Sequence, residues 1–250
     1  MGGHDAWITR FRPLPDAPVR LVCFPHAGGS AGFFFPLVEP LAPDVELLAV
    51  QYPGRQNRRL EPCVDDIGAL ADAVAAALAE GGRSDDRPLA LFGHSMGAVV
   101  AFETARRLDR PPLRLYASGR RAPGTHRAEH VHRRDDDGIV AELRELSGTD
   151  SRILGDEEIL RMILPAIRAD YRAVETYRPA PGATVDCPVS ALVGDSDPRV
   201  TLDEARAWAG HTTGPFDLTV FTGGHFYLAD HQQDVIRLIV RGLRDPAAKN

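Results

Sequence analysis

A serine hydroxyl attacks an acyl carbon only if a base takes its proton and donors receive the charge that develops on the carbonyl oxygen. The sequence offers such a serine in Gly93-His94-Ser95-Met96-Gly97. The apolar run Leu89–Phe92 precedes it, and Val99, Val100, Phe102 and Leu108 follow at helical spacing. Strand, G-x-S-x-G, helix is the context in which a sharp turn lifts a serine out as a nucleophile. Glycines are required at 93 and 97 because side chains two before and two after the serine would collide. The N-terminus of the following helix favours negative charge developing beside Ser95.

The base should be a histidine held in one tautomer by a carboxylate. Of the nine histidines, His225 follows Gly223-Gly224 at the end of the last strand, on the same sheet edge as Ser95. His4, His126, His130 and His132 fall in loops, and His211 and His231 in helices away from strand ends. His94 is pinned beside Ser95 and cannot easily reach its hydroxyl, and His26 lies in a glycine loop. The order Ser…Asp…His then directs the search for the acid to a strand end between the two. Asp195 and Asp197 both follow the strand ending at Val193, and spacing leaves the choice between them open. The competing strand end, Ser118-Gly119-Arg120-Arg121, offers no acid. For the oxyanion, one donor is the Met96 amide, and the other is most simply Ala27 in His26-Ala27-Gly28-Gly29. A phosphate cradle is disfavoured at that loop, since neither G-x-G-x-x-G nor a P-loop lysine is present.

The elements that must position these residues alternate. Val19–Phe24 and Glu46–Tyr52 read as strands buried on both faces, joined by Leu89–Phe92, Leu113–Ala117, Val189–Val193 and Leu218–Phe221. Phe33–Leu41 reads as a short helical stretch limited by prolines. Residues 65–80 form a helix with Ile67, Leu70, Val74 and Leu78 on its buried stripe, capped by an Asp. Helical stretches are predicted near 138–147 and 156–177, the second kinked at Pro165. Thr201–Glu204 is a capping box, and a last amphipathic helix covers roughly 230–244. Such alternation specifies an α/β fold, a mostly parallel sheet with helices on both faces. Segment 121–186, between two late strands, is too long for a simple loop and should lie over the strand ends where ligands bind.

A chain of 250 residues with 44% apolar and 26% charged content is long enough for one large α/β domain. A net charge of −6 gives no reason to expect nucleic acid or an anionic membrane as partner. Lys249 is the sole lysine, which reflects coding composition. The N-terminus has no signal-like apolar run, and Ala6 stands where a myristoylation start wants Ser or Thr. No stretch is long enough to span a bilayer. Cys23, Cys63 and Cys187 lack metal-ligand spacing, so a reducing cytoplasm is expected.

Together FPHAGGSAGFF (24–34), QYPGRQNRR (51–59), GHSMGAVVAFETARRL (93–108), SGRRAP (118–123), GDSDP (194–198) and GGHFYL (223–228) resemble the type II thioesterases. These are stand-alone α/β-hydrolases that accompany polyketide and nonribosomal peptide synthases. The G-x-S-x-G marks the superfamily, while the HAGG and YPGR blocks point to the thioesterase branch. The resemblance implies Ser95 as nucleophile, His225 as base and Asp197 as acid, with the Ala27 and Met96 amides as oxyanion donors. It implies that the insertion at 121–186, within a single domain over 1–250, is a helical lid; a monomer is expected, and the serine mechanism requires no metal or other cofactor. The implied substrate is an acyl group on the phosphopantetheine of an acyl or peptidyl carrier protein, removed when it stalls the synthase. A carboxylesterase or lipase would use the same triad, and a non-catalytic carrier-binding protein could share the fold. Carrier proteins are typically acidic, so Arg55, Arg58, Arg59, Arg120 and Arg121 are docking candidates, with solvated or internally paired arginines the simpler expectation for each. The Ile/Met/Leu stripe at 159–164 is expected to pack the lid, with an acyl pocket as its alternative use.

Overall fold

The computed structural model describes residues 6–82, 85–146 and 156–244. Its strands are β1 (Ile8–Arg10), β2 (Val19–Phe24), β3 (Val45–Val50), β4 (Leu89–His94), β5 (Leu115–Ser118), β6 (Val189–Gly194) and β7 (Phe216–Phe221). They form one sheet in the order β1-β3-β2-β4-β5-β6-β7. Only β1 runs antiparallel, against β3; every other pair is parallel. The six parallel strands are those the apolar runs predict. The short edge strand β1 was not anticipated, because three residues are too few to show a period of two.

Alternation along the strands feeds two cores. On one face Val22, Phe24, Leu48 and Val50 pack under α1 (Ile67–Gly82) and α2 (Met96–Ala105). Ile67, Leu70, Val74 and Leu78 of α1 are buried there, and Asp66 Oδ1 accepts the Ala69 amide at 2.8 Å, capping the helix. Each such fully buried aliphatic side chain contributes roughly 1.5–3 kcal/mol. On the other face Leu21, Cys23, Leu47 and Ala49 meet the 3₁₀ turn Ala31–Leu37 and a C-terminal helix, Gln232–Arg244, through its Val235, Ile236, Ile239 and Leu243.

Between β5 and β6 lie α3 (Asp136–Leu146) and α4 (Glu157–Thr176), with a small core of their own that includes Val131, Ile139, Leu143, Leu164, Ile167 and Tyr171. Asp156 caps α4 by accepting from the Glu158 and Ile159 amides. The helix runs as one element through Pro165. After β6, both bonds of the Thr201/Glu204 capping box are formed at the start of α5 (Leu202–Arg206), and the C-terminal helix Gln232–Arg244 is α6.

Candidate active site

The site is built on the ends of β4, β6 and β7. Ser95 links β4 to α2 with φ 55° and ψ −120°, a conformation that costs an L-residue about 1–3 kcal/mol and persists only where the surroundings impose it. The surroundings do so sterically. A Cβ on Gly93 would stand 2.2 Å from the Gly97 carbonyl oxygen, and one on Gly97 would stand 2.0 Å from the Phe24 carbonyl oxygen. The Ser95 amide donates to the Ser118 carbonyl at 2.8 Å, tying the elbow to the end of β5.

His225, reached from β7 through Gly223 at φ 117°, directs Nε2 at Ser95 Oγ, 3.0 Å away. Its Nδ1 lies 2.8 Å from Asp197 Oδ2, and both side chains are buried. A carboxylate only accepts, so Nδ1 carries the proton and Nε2 presents a lone pair to the serine hydroxyl. The other Asp197 oxygen accepts the Arg199 amide at 2.8 Å. Asp195, equivalent by spacing, faces away. Its Oδ1 accepts from the Gly223 amide at 3.0 Å and the Ser196 hydroxyl at 2.9 Å, and these two bonds lower its pKa. One aspartate orients the histidine and the other closes the turn that delivers it.

Met96 is the first residue of α2, where an amide has no helical carbonyl to serve. The Ala27 amide donates no hydrogen bond to another described residue. Both line, with Ser95 and His225, a cavity of about 40 Å³ walled by Leu143, Tyr171, Val174 and Phe226. That is a few times the space of one water.

Two more histidines crowd the centre. The His26 and His94 rings lie 5.9 Å apart, and His94 lies 5.2 Å from His225. Burial, followed by the charge of His225, pushes His26 down to about 3 and His94 well below the ordinary value. Both are therefore neutral at pH 7. His94 Nδ1 is engaged with Ser118 Oγ at 2.9 Å, and that hydroxyl with Tyr227 at 2.7 Å. The Ser118–Tyr227 support was missed in the sequence; a polar residue at a strand end was its only signal. Of the remaining histidines, His4 lies outside the described residues. His126 and His130 are exposed, His132 bonds Glu175, and His211 bonds the Ala183 carbonyl. His231, expected away from any strand end, instead bonds Thr222 just past β7.

Of the five arginines offered for docking, three are internally paired, the simpler of the two expectations. Arg55 is buried in a two-pronged pair with Asp170, Arg58 donates to the Gln51 carbonyl and Glu61, and Arg121 pairs with Glu129. Arg120 lines the cavity at Ser95, and burial, with Arg121 adding, pushes it down to about 9. Arg59 alone of the five is exposed. In the 159–164 stripe, Leu164 packs inside the inserted segment as expected. Met162 is exposed instead, and the α4 residues that wall the cavity at Ser95 are the later Tyr171, Val174 and Glu175. Among the described residues no cluster of three or more potential ligands could hold a metal ion, and no helix is long and apolar enough to cross a membrane.

A mostly parallel sheet with a serine on a strained strand-to-helix elbow is the architecture of the α/β-hydrolases. A model described as "Thioesterase domain" matches residues 19–243, and the chain belongs to that family. It is 54% identical over 245 residues to a probable cadicidin biosynthesis thioesterase of Streptomyces griseus, covering 97% of this chain and 67% of that one. Thioesterase PikA5 of Streptomyces venezuelae is 52% identical over 249 residues, covering 96% and 88%. Among solved structures, the type II thioesterase BorB from the borrelidin biosynthetic cluster superposes with a TM-score of 0.87 at 50% identity, covering 96% of this chain and 98% of that one. A lipase-esterase related protein of Clostridium acetobutylicum, at 16% identity and a TM-score of 0.74, shares the fold alone.

Proposed function

We propose that this protein hydrolyses acyl thioesters on the phosphopantetheine arm of carrier proteins, clearing stalled acyl units from a polyketide or nonribosomal peptide synthase. The observation that carries the chemistry is the continuous line from Asp197 through His225 to Ser95, at 2.8 and 3.0 Å, on a strained elbow. Ser95 Oγ attacks the thioester carbon while its proton passes to His225 Nε2. The carbonyl electrons move onto oxygen, facing the Ala27 and Met96 amides. Collapse breaks the C–S bond, and the departing pantetheine sulfur takes the proton from His225. A water then attacks the acyl-Ser95 ester, giving its proton to His225. The second collapse returns that proton to Ser95 Oγ and releases the acid. Asp197 holds the Nδ1–H tautomer and offsets the imidazolium charge. The segment 121–186 serves as the lid over the acyl group. The thioester, rather than oxyester, substrate is supported by the thioesterase relatives, since the triad suits both.

The test is a comparison of kcat/KM on one acyl group presented as carrier thioester, coenzyme A thioester and aryl ester. The carrier thioester is expected to be the best substrate. Preference for the aryl ester would favour a carboxylesterase, and no turnover of any would favour a binding protein.

A further inference from the structure

Asp170 carries no motif, yet it is buried on α4 beside the glycine loop of the oxyanion hole. Its Oδ2 accepts the Gly28 amide at 2.7 Å and Arg55 Nη1 at 2.6 Å, while Oδ1 accepts Arg55 Nη2 at 2.8 Å. Arg55 Nη1 also donates to the Gly29 carbonyl at 3.2 Å. The pair thus grips both residues that follow Ala27. One turn earlier on α4, Ile167 Cγ1 lies 2.8 Å from where a Gly28 Cβ would be, and Gly28 has φ 77°. The loop is therefore held from one side by ion-paired hydrogen bonds and from the same helix by close packing. Fixing the peptide unit after the Ala27 Cα restricts how the unit before it, which carries the Ala27 N–H, can turn. Immediately after Asp170 on that helix, Tyr171 and then Val174 wall the cavity at Ser95. A single stretch of α4 touches both the acyl space and the oxyanion loop.

We propose that Asp170 and Arg55 are positioning residues, which tie the inserted helix to the oxyanion hole and aim the Ala27 amide at the developing oxyanion. This rests on the roles of Ser95 and Ala27 set out above. Burial opposes the Arg55 charge, but Asp170 more than offsets it and leaves the guanidinium pKa raised, so Arg55 stays charged and the grip is charge-assisted. A misaimed donor weakens transition-state binding and leaves substrate binding alone. The effect should therefore fall on kcat.

The test must separate aim from stability, because removing one partner of a buried pair is strongly destabilising in its own right. Two variants do so. Asp170→Asn keeps the shape and removes the charge. Arg55→Met combined with Asp170→Leu removes both charges together and is expected to recover much of the lost Tm. For each, kcat and KM are measured on an acyl-carrier thioester. So is the affinity of an alkyl trifluoromethyl ketone, which adds reversibly to Ser95 and places an oxyanion in the hole. Both variants should lose about 10–10²-fold in kcat, less than the ~10²–10³ lost when a donor is removed outright. KM should stay within about twofold, and the ketone should weaken by the same factor as kcat. Recovery of kcat with Tm in the double variant, or a change in KM alone, would overturn the proposal. Failure of the ketone to inhibit the wild-type protein would instead overturn the serine mechanism. Inhibition of wild type and variants alike would overturn only the role of the pair.

Discussion

At the sheet edge, Ser95, Asp197 and His225 stand on turns closed by backbone contacts and glycines that admit no side chain. The segment inserted between β5 and β6 is fastened differently. Besides its own small core and the packing of Ala173 and Val174 on the main one, it carries a series of arginine–carboxylate pairs: Arg121–Glu129, Arg134–Glu142, Arg168–Asp136, Arg172–Asp65 and Arg55–Asp170. Steric closure gives one geometry and is indifferent to salt. Exposed ion pairs contribute little each and weaken as salt is added. The Arg55–Asp170 pair differs from the exposed ones in being buried, and it reaches the glycine loop of the first region through the Gly28 amide and the Gly29 carbonyl.

Ser95→Ala should lower carrier-thioester turnover by at least ~10⁴-fold, measured by thiol release. Its Tm should not fall, because the strained turn is held by Gly93, Gly97 and the Ser118 carbonyl rather than by the hydroxyl. Asp197→Asn should cost about 10³–10⁴-fold in kcat through loss of the correct tautomer. Asp195→Asn should cost no more than a few-fold, and comparable losses in the two would contradict Asp197 as the acid.

A smaller effect concerns stability against pH. His26 and His94 are held neutral in the folded protein, while the unfolded chain protonates both near pH 6.5. Below that pH the unfolded state binds more protons. Stability therefore falls as pH drops from 7 toward 5, by up to about 1.4 kcal/mol per unit for each histidine. Urea unfolding at pH 7, 6 and 5 should show a shallower decline in His94→Gln than in wild type; equal slopes would contradict the assignment. Smallest of all is Arg172→Ala. It cuts an exposed 3.0 Å tie between α4 and Asp65 without touching the glycine loop. A change within about 0.5 kcal/mol is expected, with kcat unaltered. A large loss of kcat would mean that any anchoring of the helix, not the grip on Gly28, controls the oxyanion hole.

What was legible in the sequence follows the same division. Ser95, His225, Met96 and Ala27 sit in short glycine-marked blocks at strand ends, where local sterics leave a local signature. Asp195 and Asp197 share one turn. The bond from the Gly223 amide that takes up Asp195 arrives from a residue 28 positions away, so spacing had no means of choosing between them. For Arg55, Arg58 and Arg121 the simpler expectation of solvated or internally paired arginines includes the pairing that is found, but not the partners, since Asp170 is 115 residues from Arg55. Charge alone does not reveal burial. Helix α4 announced its existence through periodicity, but not that one aspartate on its inner face meets the glycine loop.

The central claim is that the reaction proceeds through an acyl group on Ser95. It is tested most directly by mixing the protein with acyl-carrier thioester, quenching within the first turnovers, and mapping the added acyl mass by peptide mass spectrometry. The acyl mass is expected on the peptide carrying Ser95, formed together with release of the carrier thiol and absent in Ser95→Ala. Turnover with no adduct on that peptide under conditions where deacylation is limiting, or an adduct on Cys63 that persists in Ser95→Ala, would contradict it.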